Sequence, residues 1–178
     1  APLLVAGAGI MGAGIAQVAA QAGHPVKLFD ARAGAAHDAK RKLEATFDAL
    51  VAKGKLDTDN AQVVLARIEP IVALEEAIGV RLVVEAIVED LELKRALFLQ
   101  LEPLLGPQCL LATNTSSISV TAIANGLEHP SRLVGMHFFN PVPLMKLVEV
   151  VRHAGSSPDA VARAVALAEH WGKTPIVV

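Results

Sequence analysis

One uncharged run, VAGAGIMGAGIAQVAAQAG from Val5 to Gly23, limits what this chain can fold into more than any other feature. It reads as a membrane span, as a signal peptide, or as a strand and a helix joined by a turn that holds a phosphate. It is long enough to span a bilayer, but no basic residue precedes it, as the n-region of a signal peptide requires. Gly7, Gly9, Gly12 and Gly14 all fall in its first half, which suits a tight turn better than a uniform helix. On that reading Leu3–Ala6 is a buried strand ended by Gly7. Met11–Ala22 is a helix with Ile15, Val18, Ala19 and Ala22 on one face. Between them Gly7-Ala8-Gly9-Ile10-Met11-Gly12 forms a GxGxxG turn in the context that makes the pattern informative. Gly7 permits the turn, Gly9 lets a pyrophosphate approach the backbone, and Gly12 lets the helix pack close to the strand. The helix N-terminus then offers free N–H groups to the phosphates. Asp30 ends the next strand, His24–Asp30, roughly twenty residues beyond the glycines. Its carboxylate accepts hydrogen bonds from the adenosine ribose and repels a 2′-phosphate, so NAD is favoured over NADP, with Arg32 softening that preference. The expected dinucleotide ligands are therefore Gly7, Gly9, Ile10, Met11, Gly12 and Asp30.

The rest of the chain continues the alternation. A helix is expected over Ala35–Lys53, with Leu43, Phe47 and Leu50 inward, ended by Gly54. A shorter one follows over Asp59–Arg67 after a cap at Asp57 or Thr58. Ile68–Val72 reads as an edge strand because it contains Pro70. Arg81–Ile87 and Cys109–Asn114 are apolar strands around a helix with Leu93, Leu97 and Leu101 inward. A short helix then closes at Gly126. Strands over Arg132–Phe139 and Lys146–Arg152 flank a proline-rich turn, a helix runs from Pro158 to Trp171 capped by Ser157, and Thr174–Val178 is a last strand. Strands that are apolar throughout and alternate with helices specify an α/β fold with a mostly parallel, doubly wound sheet of Rossmann type. Here a helical hairpin is inserted after the second strand, and residues 1–178 form one domain.

Composition narrows the partners. The chain is 53% hydrophobic, but with 5 Phe, 1 Trp and no Tyr it offers no stacking surface for nucleic acid. A formal net charge of −2, with both signs mixed along the chain, argues against nucleic acid or an anionic membrane as partner. The single Cys109 excludes an intramolecular disulfide and a cysteine zinc site, so no metal is expected and a reducing cytoplasm is the simple setting.

Two further constellations carry chemistry. Asn114-Thr115-Ser116-Ser117 follows a strand, where doubly wound sheets bind ligands, although four small polar residues also make a plain turn with a helix cap. His137 lies in HFFNPVP, and alone it reads as an ordinary turn or core histidine. Glu149 lies in LVEVV, where an unpaired charge is costly to bury, so a partner is expected. A histidine titrating near neutrality and held by a carboxylate is the base that alcohol oxidation needs. The remaining histidines, His24, His37, His129, His153 and His170, read as surface residues.

Taken together, GAGIMGAGIA, VVEAIVED, ATNTSSISV and HFFNPVPLMKLVEVV closely resemble the NAD-binding domain of the L-3-hydroxyacyl-CoA dehydrogenase family, which includes 3-hydroxybutyryl-CoA dehydrogenases. The resemblance covers nearly the whole chain. It implies NAD as cofactor, an acyl-CoA substrate, His137 as catalytic base, Glu149 as its partner, and Ser116 contacting substrate and cofactor. It also implies Glu89, Lys94 and Asn140 at the NAD site, and Thr46 and Lys53 of the helical hairpin holding CoA. In the family a helical C-terminal domain follows, completing the substrate cleft and carrying a homodimer interface. A chain ending at Val178 is expected to bind NAD and to turn over poorly by itself. A non-catalytic nucleotide-binding module is the rival reading, and its sign would be a degraded His–Glu pair. A dehydrogenase of sugars or hydroxy acids leaves HFFNPVPLMKLVEVV unexplained.

Overall fold

The computed structural model describes residues 1–178. Eight strands lie in one sheet: β1 (Leu3–Ala6), β2 (Val26–Phe29), β3 (Ile68–Ile71), β4 (Leu82–Glu85), β5 (Leu110–Thr113), β6 (Leu133–Phe138), β7 (Leu147–Val151) and β8 (Thr174–Val177). Their spatial order is β3-β2-β1-β4-β5-β6-β7-β8. The first six run parallel. The β6–β7 pair is antiparallel and β8 is parallel to β7, so the expected mostly parallel, doubly wound sheet is observed. Six helices connect them: α1 (Ile10–Gln21), α2 (Ala35–Ala52), α3 (Thr58–Ala66), α4 (Leu91–Leu101), α5 (Val120–Ala124) and α6 (Pro158–His170). Pro70, which has no N–H to donate, sits on the edge strand β3, where that loss is tolerated.

Successive strand residues face opposite sides, and both sides are buried. Leu3, Val5, Leu82, Val84, Leu110 and Ala112 join the core under α1, α2, α3 and α6. Leu4, Ala6, Val83 and Leu111 join the core under α4 and α5. The helix α1, built largely of Gly and Ala, is buried almost all round, including Gln17. By contrast α2 buries one stripe, Ala36, Ala39, Leu43 and Phe47, and turns back at Gly54 into α3, which Asp57 caps by accepting the Asn60 N–H.

Two expectations fail on packing. Leu93 is 52% exposed, while Lys94 is fully buried beside Leu97, Phe98 and Leu101. The polar partners of Lys94, described below, set the rotation of α4 and turn Leu93 outward. His24 is buried, not at the surface: its ring packs edge-on against Trp171 and His170, and Nδ1 lies 2.7 Å from the Ala1 carbonyl. Burial lowers its pKa against the opposing pull of that carbonyl.

The chain passes from β1 to β2 and β3 on one side, then returns to β4 on the other. The sheet thus reverses direction between β1 and β4, and the crevice beyond the carboxyl ends of those strands is where such folds take ligands. Asp30, Glu89, Asn114 and Ser116 follow strands at that edge, and His137 lies one residue from the carboxyl end of β6.

Candidate active site

Gly7 has φ +112°, and a Cβ there would lie 2.4 Å from the Ala86 carbonyl oxygen. A Cβ on Gly12 would lie 1.7 Å from the Gly7 carbonyl oxygen, so the third glycine is needed against the loop itself and less against the strand, whose nearest atom is Val5 Cγ1 at 3.6 Å. Over Gly9 there is open space within 4 Å. Above it, α1 begins with no side-chain cap and no acidic residue in its first turn. The N–H groups of Ile10, Met11 and Gly12 therefore lack intrahelical partners and face an anion-sized opening at the positive end of the helix. That cradle fits a dinucleotide pyrophosphate. Beside it runs a cleft of about 890 Å³ lined by Gly7, Gly9, Asp30, Arg32, Val72, Ala86, Val88, Leu93 and Gln100, among others. Val72, Val88 and Leu93 are 80%, 66% and 52% exposed, and an adenine ring between them would account for three bare apolar side chains on one cleft.

Asp30 stands at the mouth of this cleft. Its Oδ2 accepts from the Ala8 N–H at 2.8 Å and from Arg32 Nη2 at 3.0 Å. Its Oδ1 accepts from the Arg32 N–H at 2.8 Å and from Arg32 Nε at 3.0 Å. Partial burial opposes ionisation, but the Arg32 side chain and the two backbone donors outweigh it and lower the carboxyl pKa.

The ends of β4 and β5 hold a buried network that sequence reasoning missed in part. Glu85, fully buried, takes Lys94 Nζ at 2.6 Å and the Ile87 N–H at 2.7 Å on Oε2, and the Thr113 hydroxyl at 2.5 Å on Oε1. Glu85 and Thr113 are register neighbours on adjacent parallel strands, so the pairing follows from strand order. Lys94 also forms an ion pair with Glu89 Oε1 at 3.0 Å and donates to the Ile87 carbonyl at 3.3 Å. The ammonium, 1% exposed, stands between Glu85 and Glu89.

Glu89 Oε2 in turn gathers the Thr115 hydroxyl at 2.8 Å, the Ser117 hydroxyl at 3.0 Å and the N–H groups of Ser116 and Ser117 at 3.3 and 3.4 Å. Partial burial raises the Glu89 pKa, but these donors and Lys94 hold it down to about 2 from 4.5. A carboxyl lowered on folding stabilises the fold above its unfolded pKa and loses that contribution as pH falls through the folded value. The chain should therefore lose stability as pH drops from 4.5 towards 2. Urea midpoints at about pH 5 and about pH 3 should fall further apart for the native chain than for Glu89→Gln, and an equal separation would remove Glu89 from the account.

Ser116 is exposed on the loop so held, with only its backbone N–H engaged. The same loop is pinned to β6 by Asn114, whose Oδ1 accepts the Phe138 N–H at 2.8 Å. His137 and Glu149 are directly opposed in the antiparallel β6–β7 register, on the sheet face away from α1. The His137 Nδ1 to Glu149 Oε1 distance is 2.9 Å, with the two side chains 20% and 35% exposed. A carboxylate only accepts, so Nδ1 carries the proton of the bond, and in the neutral imidazole Nε2 keeps the lone pair. Phe139 packs against the imidazole at a centroid distance of 4.5 Å. Asn140 follows on an exposed loop held by Lys173, whose buried ammonium donates to the Val142 and Met145 carbonyls.

That loop and α2 enclose a second cleft of about 420 Å³, lined by Gly9, Ile10, Gln17, Arg32, Lys42, Thr46 and Asn140 among others. Thr46 thus faces a cleft, although its hydroxyl donates to the Lys42 carbonyl. Lys53 is exposed at the far end of α2 and lines neither cleft. No helix is long and apolar enough to cross a membrane.

Residues 3–178 match the family described as 3-hydroxyacyl-CoA dehydrogenase, NAD binding domain. A 3-hydroxyadipyl-CoA dehydrogenase of Escherichia coli is 45% identical over 97% of this chain and 36% of its own length. A probable 3-hydroxybutyryl-CoA dehydrogenase of Bacillus subtilis is 42% identical over 99% of this chain and 61% of its own. Among solved structures, a 3-hydroxybutyryl-CoA dehydrogenase from Escherichia coli superposes with a TM-score of 0.96 at 44% identity, over 99% of this chain and 37% of that one. The chain thus spans between about a third and three-fifths of the length of these relatives.

Proposed function

The chain belongs to the 3-hydroxyacyl-CoA dehydrogenase family, as its NAD-binding domain, and from that premise we propose that the enzyme containing it oxidises (3S)-3-hydroxyacyl-CoA to 3-oxoacyl-CoA with NAD. The observation that carries the reading is the His137–Glu149 pair at the carboxyl edge of the same sheet that carries the glycine cradle. Bound NAD supplies the hydride acceptor. The residues of this chain do the rest. His137 Nε2 takes the proton from the 3-hydroxyl as the C–H bond of the same carbon breaks and its C–O bond becomes a carbonyl. Glu149 fixes the tautomer through Nδ1 and stabilises the imidazolium that results. Ser116 orients the substrate oxygen, and Glu89, Thr115 and Asn114 keep its loop in place. Asp30 and the N–H groups of Ile10, Met11 and Gly12 hold the two ends of the dinucleotide's ADP portion. Asn140 serves the NAD site, and Thr46, with Lys53 further along the hairpin, serves the CoA moiety. The parent enzyme in this reading is a homodimer formed through a helical domain outside residues 1–178.

The test is acetoacetyl-CoA reduction by the full-length enzyme, followed as loss of NADH. Steady turnover that requires the (3S) product on reversal is expected. NADH binding with no turnover of any 3-oxoacyl-CoA would favour a binding module.

A further inference from the structure

The Asp30–Arg32 pair bears on which dinucleotide the larger cleft admits. The carboxylate edge that would meet the adenosine ribose is already covered. Arg32 Nε and Nη2 sit on Oδ1 and Oδ2, both at 3.0 Å, leaving the Asp30 side chain only 10% exposed. The guanidinium itself is 71% exposed. An ion pair in that position is held weakly, since solvent screens it and ordering the side chain opposes it. A ribose reaches Asp30 by displacing Arg32, and the carboxylate stays aimed through its backbone donors, Ala8 N–H and Arg32 N–H. The displaced guanidinium is tethered two residues away, so it remains beside the ribose hydroxyls. A carboxylate next to a guanidinium projects little net charge, and the repulsion that a bare Asp30 exerts on a 2′-phosphate is largely cancelled. Guanidinium is also the group whose fork matches phosphate oxygens. Two acids oppose this: Glu75, exposed on the lining of the same cleft, and Asp38, exposed on the second cleft that Arg32 also lines, although Asp38 is paired with Arg41.

We infer that the cleft accepts the 2′-phosphorylated dinucleotide, NADP(H), as well as NAD(H), and that Arg32 decides between them. This rests on the reading that the larger cleft holds the adenosine half of the dinucleotide, and it replaces the simple preference for NAD that Asp30 alone implies.

The experiment titrates the chain with NADH and with NADPH separately, following nucleotide fluorescence, and repeats both titrations with Arg32→Glu. In the native chain NADPH is expected to bind within about tenfold of NADH. Because a charged hydrogen-bonding partner is lost, Arg32→Glu should shift the ratio of the two dissociation constants against NADPH by roughly tenfold to a hundredfold. NADH affinity in the same variant reports that the cleft is still formed. NADH binding with NADPH more than about a hundredfold weaker in the native chain would overturn the inference and leave the NAD reading intact. So would a variant in which both affinities change alike. Binding of neither nucleotide to the native chain would overturn the reading of the cleft itself.

Discussion

Replacing His137 with Gln in the full-length enzyme is expected to lower kcat by about 10²–10⁴ and leave NADH affinity nearly unchanged. The size follows from the role. Gln is close in length and still reaches Glu149, but it has no lone pair that can take and return a proton near neutrality. The selectivity follows from the position. His137 lies on β6, separated by β4 and β5 from the β1 strand that leads into the glycine cradle, and its one protein hydrogen bond goes to Glu149 on β7. Steady-state rates in both directions, with a nucleotide titration of the same variant, separate the two effects. Near-native kcat would remove His137 from the chemistry. An equal loss of NADH affinity would make it a structural residue.

The largest stability effect is expected for Lys94→Met. The ammonium is 1% exposed and lies between Glu85, which is fully buried, and Glu89. Removing it leaves the Glu85 carboxylate in the core without its counter-charge, a change that costs about 3–5 kcal/mol. Domains of this kind are stable by about 5–15 kcal/mol, so the loss takes a large share of the whole. Urea unfolding of the native chain and the variant measures it. The double variant Glu85→Gln with Lys94→Met should recover part of the loss, because the orphaned charge is then gone. A single-variant cost below about 1 kcal/mol would show that the pair behaves like an exposed one.

These two residues also mark how far the sequence could be read. His137 and Glu149 were legible because each breaks a local pattern: an acid in the apolar strand LVEVV demands a partner, and HFFNP supplies one across a short turn. The glycine loop and Asp30 were legible because strand, turn, helix and strand are consecutive in the chain. Glu85 breaks a pattern in the same way, an acid closing the apolar strand LVVE. Its partners Thr113 and Lys94, however, depend on β5 lying beside β4 and on the rotation of α4, and neither is written locally. The same holds for Asn114, whose acceptor role at Phe138 needs β5 and β6 to be neighbours. The four-residue spacing of Leu93, Leu97 and Leu101 points Leu93 inward because spacing treats lysine as solvent-facing; a paired buried lysine reverses that and rotates the helix. His24 was misplaced for a similar reason, since Trp171 and His170, which cover it, come from the other end of the chain. The second cleft and its hairpin carry the weakest signal. Thr46 faces the cleft and Lys53 does not, and an i,i+7 pair drawn from resemblance alone says nothing of where the cleft ends.

Hydride tracing in the full-length enzyme tests the central claim most directly: that the His137–Glu149 pair serves alcohol oxidation beside a dinucleotide held on the glycine loop. With (3S)-3-hydroxybutyryl-CoA deuterated at C3 and with NAD, a single turnover should place the deuterium in NADH. The transfer rate should fall by about 10²–10⁴ in His137→Gln while both ligands still bind. Deuterium absent from NADH, or transfer by the variant at the native rate, would contradict the account.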